Sequence, residues 1–184
     1  SIARMKITFT NAKIPNILEK LQTLGYTEER LNEYAERVAE LEVLFQNQKK
    51  GYGQKYAQTR KVEEKKAQID QIYKRHLALC RVLFKNDVQA QTTLQFSVGR
   101  KASYAAWFQQ VSNFYSQLLV NDSFKERVAT INIKESDIKE QQKALAQLSA
   151  MKEEHQKDFG EAQKATEMRD AAFEKLNSEY SDLV

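Results

Sequence analysis

The chain has 184 residues, enough for one domain with a substantial core, and its single proline and five glycines are too few for a turn-rich β protein. Charged residues make up 29% and the formal net charge is +4. With Ala, Glu, Lys, Gln and Leu abundant, this composition favours long helices with solvated faces. No apolar run approaches the ~18 residues that span a bilayer, and the N-terminus lacks the basic-then-apolar layout of a signal peptide. A lone cysteine, Cys80, cannot close an intrachain disulfide and suits a reducing compartment. The expectation is a cytoplasmic protein without a transmembrane segment.

In chain order, residues 5–10 alternate polar and apolar side chains without a partner strand and read as an extended lead-in. Met5 is a candidate native start, with Ser1–Arg4 ahead of it. A short helix is expected from Pro15, with Ile17, Leu18, Leu21 and Leu24 as its apolar positions and Gly25 as its stop. Thr27 followed by Glu28 and Glu29 reads as an N-cap with first-turn acids that suit the helix dipole. Positions of the apolar stripe then step by three and four through Leu31, Tyr34, Val38, Leu41, Phe45, then Tyr52, Tyr56, Thr59, Val62, Ile69, Tyr73, Leu77, Cys80 and Leu83. At Gly51-Tyr52-Gly53, after Lys49-Lys50, two readings stand. Either the helix stops and residues 28–49 and 54–85 form a hairpin, or one helix runs through. The stepping carries through the glycines with only one extra four-residue step, which leans slightly toward the second.

Asp87 and the polar run Gln89–Thr93 close this pattern. An aromatic connector helix is expected at about 103–119, carrying Tyr104, Trp107, Phe108, Phe114 and Tyr115. Asn121-Asp122-Ser123 is a turn and cap signal for a short helix through Val128. A second long pattern opens near Lys134 and is expected to continue past Val184.

Residues 28–77 and 135–184 align without a gap at an offset of 107. Eight positions are identical, among them Leu41/Leu148, Gly53/Gly160, Thr59/Thr166 and Tyr73/Tyr180. Leu31/Ile138, Val38/Leu145, Ile69/Leu176 and Leu77/Val184 exchange like for like. Many matches fall on the apolar stripe, so a packing surface is repeated. The copies differ in charge: residues 49–77 hold nine basic and three acidic residues, whereas 156–184 hold four and seven. Residues 28–48, with two basic and six acidic residues, are available on the hairpin reading to cover the basic stretch. The expected fold is all-α: a single domain over 1–184, an elongated, coiled-coil-like antiparallel helical bundle with a two-fold internal repeat. The runs GYTEERL, QKKGYGQKYAQT and WFQQVSNFYSQLL resemble a group of uncharacterised bacterial helical proteins. That resemblance implies bacterial origin and an all-α fold, and carries no activity or site residues.

Chemistry-bearing constellations are sparse. His76 and Cys80 share a helical face, but two ligands do not hold a zinc ion; the structural reading is a buried thiol beside an imidazole. Lys152 stands where a Glu-x-x-His motif would need its acid before His155. No nucleophile elbow or phosphate-cradling loop occurs. The expectation is therefore no catalytic residue, no cofactor and no metal. Lys55, Arg60, Lys61, Lys65, Lys66, Lys74 and Arg75, interleaved with Tyr52, Tyr56 and Tyr73, could bind phosphate backbones, or else form a solvated or internally neutralised face. Arg100-Lys101-Ala102-Ser103 opens a helix where an anion could sit, although capping explains Ser103. The leading expectation is a non-enzymatic structural or protein-interaction module with a protein partner or self-association. The alternatives are a nucleic-acid-binding accessory protein using the basic face of 49–85, and a small-molecule binder with a pocket near Trp107.

Overall fold

A computed structural model describes residues 1–183, so Val184, including its pairing with Leu77 in the repeat, lies outside the described residues. Among them there are seven helices and no strand: α1 (Ile2–Asn11), α2 (Pro15–Thr23), α3 (Glu28–Leu83), α4 (Val88–Thr93), α5 (Tyr104–Val120), α6 (Asp122–Ala129) and α7 (Glu135–Leu183). The chain is all-α.

The first correction concerns residues 5–10, which are helical and not extended. Two-residue alternation there competes with the spacing of Met5, Phe9 and Ala12, all buried on one helical side. With no neighbouring strand to pair with, a helix satisfies the backbone within itself.

The second correction concerns the glycines. The helix α3 runs unbroken through Gly51 and Gly53, as α7 does through Gly160, so the hairpin alternative is overturned. None of the three has a positive φ, and a Cβ built at Gly51 would meet the Ala162 Cβ at an ordinary 3.8 Å. Acidic 28–48 and basic 49–77 are thus consecutive stretches of one helix and cannot lie against each other.

Helix boundaries follow local chemistry. Pro15 occupies the first turn of α2. Gly25, at φ +85°, ends it by letting Tyr26 N donate to Leu21 O at 3.0 Å and Gly25 N to Gln22 O at 3.0 Å. Thr27 Oγ1 then accepts from Arg30 N at 3.3 Å, one half of a capping box. The junction between α6 and α7 repeats this geometry. Asn132 has φ +63°, Ile133 N donates to Val128 O at 3.0 Å, and Asn132 N donates to Ala129 O at 3.1 Å. There Asp137 supplies the other half of the box, accepting from Lys134 N at 2.8 Å. Each residue of the second junction stands 107 positions after its counterpart, and so do the first residues of α6 and α7 relative to α2 and α3. Ser103, Asn121 and Asp87 cap α5, α6 and α4 through their side chains.

The chain divides into two compact units. The first comprises Ser1–Ala57 and the chain from Gln156 onward; the second comprises Gln58–His155. The core of the first holds Met5, Phe9 and Ala12 of the α1 region, Leu31, Tyr34, Val38 and Leu41 of α3, and Leu176 of α7. Phe9 packs at 5.1 Å from Tyr34 and edge-on at 6.2 Å from Tyr180. In this unit Arg37 pairs with Glu179, Gln48 Nε2 donates to Thr166 Oγ1 at 3.2 Å, and Lys55 Nζ lies 3.8 Å from the Phe159 ring centre. Residue numbers rise along α3 as they fall along α7. The core of the second unit joins Ile69, Tyr73, Leu77, Cys80 and Phe84 to Trp107, Val111, Phe114, Tyr115 and Leu118 of α5, with Phe124, Val128, Ile138, Leu145 and Leu148.

Candidate functional site

The seven basic residues singled out from the sequence do not share one face. Lys55 belongs to the first unit, where it lies over Phe159 and, at 5.6 Å, Tyr52. The other six lie in the second unit. Lys66 is half-buried with its Nζ 4.6 Å from the centre of the Trp107 ring, a cation–π contact within the fold. Lys74 pairs with Asp70 at 3.0 Å, one turn before it on α3. Arg60 pairs with Glu64 at 3.7 Å. Lys65 flanks a shallow depression with Ile69, Gln141 and Ala144, on the side of α3 facing α7. Lys61 and Arg75 are exposed. Tyr73 is no stacking platform for a base, since it is buried edge-on against Phe114 at 5.2 Å.

A node invisible in the sequence lies at Asp70. Its carboxylate accepts from Trp107 Nε1 at 2.8 Å and from Arg100 Nη2 at 2.8 and 3.0 Å, besides the Lys74 pair. Burial pushes this carboxyl group up, but hydrogen bonds from Lys74 and Trp107 and the Arg100 guanidinium outweigh it and hold the pKa below the usual carboxylate range. The node fixes the start of α5. Gln110, itself buried, donates to Gly99 O at 3.2 Å and accepts from Lys101 N at 3.2 Å, while Ser103 Oγ accepts from Ala106 N at 3.4 Å. The Arg100-Lys101-Ala102-Ser103 segment is thereby tied into helix initiation and packing. The pairing is not legible in sequence because Asp70 lies 30 residues from Arg100 and 37 from Trp107.

His76 and Cys80 are both buried, and His76 Nδ1 lies 3.0 Å from the Tyr115 hydroxyl. Burial pushes the Cys80 thiol up to about 12, so it carries no thiolate at neutral pH. Among the described residues no three His, Cys, Asp or Glu side chains gather as a metal site. Burial, and then the Arg75 charge, push the His76 imidazole below its ordinary 6.5, with Asp137 acting weakly the other way. Because the unfolded chain takes up a proton below about 6.5 while the folded one resists, stability is full above that pH and falls as pH drops toward the folded value. The expected slope is at most about 1.4 kcal/mol per pH unit. Urea midpoints should decline between pH 7 and 5 in the wild type and stay flatter in His76→Leu. Asp70 and Asp87, both shifted down, lose their contribution only in stronger acid.

Trp107 is 1% exposed and faces the core. An open cavity of about 600 Å³ lies on the other side of α5, lined by Gln95, Lys101, Phe108, Gln109, Ser112 and Asn113. The Trp107 side chain does not line it. No helix among the described residues is long and apolar enough to cross a membrane. Set against protein-family models, curated proteins and solved structures, the chain has no significant match in any of the three comparisons.

Proposed function

We propose that the chain is a bacterial, cytoplasmic, non-enzymatic structural or protein-interaction module: an antiparallel helical bundle built on a duplicated α2–α3/α6–α7 unit. The kinship with bacterial helical proteins belongs to this proposal. One observation carries it. The same junction and the same stripe recur 107 residues apart, while apolar side chains at helical spacing remain exposed. Leu31 and Ile138, Val38 and Leu145, Leu41 and Leu148, and Ile69 and Leu176 are all buried, each pair divided between the two units. Two polar contacts recur as well: Thr59 Oγ1 meets His155 Nε2 at 2.8 Å, and Thr166 meets Gln48, the residues at the same offset. A duplicated packing surface calls for neither a cofactor nor a substrate, and exposed apolar residues at regular spacing suit a protein partner. Affinity capture of the tagged chain from its native organism, read by mass spectrometry, should yield a stoichiometric protein. Capture of nothing, together with turnover of a small molecule, would overturn the reading.

A second reading, nucleic-acid binding, is supported by charge. The second unit holds 16 basic and 11 acidic residues, and acidic 28–48 cannot fold over residues 49–77 of its own helix. Retention on heparin or DNA that collapses between about 50 and 200 mM salt, and weakens in Lys61→Glu/Arg75→Glu, is what this reading requires. The leading reading expects no retention at either salt concentration.

A further inference from the structure

The recurring contacts of Thr59 with His155 and of Thr166 with Gln48 let each position of one unit be matched with the other. At one place the match fails. In the first unit Tyr34 is buried, and its hydroxyl accepts from Arg30 Nε at 2.7 Å. Beside it Arg37 pairs with Glu179, and its guanidinium lies 5.9 Å from the centre of the Tyr34 ring. The hydrogen bond to Glu179 first, and the Glu33 carboxylate more weakly, push the Arg37 guanidinium above its ordinary pKa. At the same offset the second unit has Gln141 for Tyr34, Ala144 for Arg37 and Ile72 for Glu179, while Glu140 repeats Glu33. An aromatic ring and an ion pair give way to an amide, a methyl group and an aliphatic side chain.

In that place lies a depression of about 290 Å³, close to the lower bound of small-molecule sites, roughly 300 Å³. All three replacements line it, together with Lys65, Glu140 and Lys143. Gln141 is 5% exposed, and its Oε1 has no hydrogen-bond partner among the described residues. A buried acceptor without a donor is destabilising, so this place selects an occupant that donates. Lys143 stands where the first unit has Glu36, and Lys65 where it has Ala172, so the second copy adds two cations. Neither lysine, nor Glu140, forms an ion pair with a described side chain. Their charged neighbours are engaged elsewhere: Glu64 by Arg60, Asp70 by Lys74 and Arg100, and Lys139 by Glu135. Lys61, Glu63 and Arg75 are exposed and do not line the depression.

We propose that this depression between α3 and α7 of the second unit binds a free basic amino acid, with arginine as the type. Its guanidinium takes the place of the Arg37 side chain, donating to Gln141 Oε1 and facing Glu140. Its carboxylate meets Lys65 and Lys143. A guanidinium brings both the N–H that Gln141 lacks and the charge that Glu140 balances. The comparison between units rests on the duplication in the proposed reading, whereas the binding itself goes beyond it. A water molecule held by Gln141 would be indifferent to the charges around it, and ligand charge is therefore what the test varies.

Isothermal titration calorimetry of the whole chain with L-arginine should saturate at one equivalent, with a Kd below about 1 mM. Agmatine, which lacks the carboxylate, and L-citrulline, which lacks the guanidinium charge, should each bind at least about tenfold more weakly. Glu140→Gln and Lys143→Glu, both at exposed positions, should weaken arginine binding by a similar factor. Gln141→Leu should lose binding while its urea midpoint rises, because the orphaned acceptor is gone. Ala144→Arg/Ile72→Glu, which installs the first unit's pair, should lose binding as well. Helical circular dichroism checks that each variant folds. No saturation by arginine, equal binding of agmatine and citrulline, or full affinity in Glu140→Gln and Lys143→Glu would each overturn the site. Its failure leaves the interaction reading standing, since protein capture tests that separately.

Discussion

Trp107→Ala is expected to cost about 3–5 kcal/mol of unfolding free energy, the range for truncating a fully buried aromatic residue. Three contributions converge on this side chain. Its ring is 1% exposed within the second unit's core and packs 6.2 Å from Tyr104. Its Nε1 donates to Asp70, and the Lys66 ammonium lies over its face. Truncation leaves a cavity and removes one donor from a partly buried carboxylate. It also strands the aliphatic stem of Lys66. Trp107→Phe separates the terms. It keeps most of the volume and loses the hydrogen bond, while Arg100 and Lys74 continue to hold Asp70, so about 1–2 kcal/mol is expected. Urea unfolding followed by far-ultraviolet circular dichroism measures both without relying on the indole as probe. A cost below about 1 kcal/mol for Trp107→Ala would show that the ring contributes little to the core.

The features legible in the sequence were those whose cause is local. Thr27, Ser103, Pro15 and Gly25 act through the backbone within four residues, and each sits at the boundary its chemistry indicates. The three-four stepping of α3 was readable where buried positions impose it, at Leu31–Leu41 and Val62–Cys80, whereas Tyr56 between them is 65% exposed. The extended reading of residues 5–10 rested on a short alternation where the chain is helical: six residues are too few to separate a period of 2 from one of 3.6. The Asp70 node was illegible because tertiary packing alone joins Asp70, Arg100 and Trp107. At the α2–α3 and α6–α7 junctions geometry recurs with little shared sequence. Gly25 and Asn132 are different residues, but both types tolerate the left-handed conformation that lets the next helix begin three residues later. An identity count passes over that match, and φ reveals it. Lys66 shows the opposite hazard, since its charge suggested a phosphate while its position over Trp107 assigns it to packing.

Gly51 and Gly53 mark where the sequence left two readings open, and there and at Gly160 the unbroken helices make the other large prediction, with the opposite sign. In a hairpin at Gly51–Gly53, a left-handed glycine would be replaced by alanine at a cost. In unbroken helices, alanine lowers the entropy of the unfolded chain and shields the backbone, a gain of up to about 1 kcal/mol at an exposed site. A Cβ would meet nothing within 4 Å at Gly53 or Gly160, and only the Ala162 side chain and Cα, at 3.8–4.0 Å, at Gly51. Contacts at that distance favour packing and demand no shift. The triple variant Gly51→Ala/Gly53→Ala/Gly160→Ala is therefore expected to gain about 2–3 kcal/mol, seen as a higher urea midpoint at unchanged m-value. Loss of stability at Gly53 alone would contradict a helical backbone there. A gain at Gly53 and Gly160 with a loss confined to Gly51 would instead mean that α3 and α7 approach more closely at Ala162 than 3.8 Å allows. Either result reads the backbone directly, because none of these positions carries a side chain whose removal could confuse the sign.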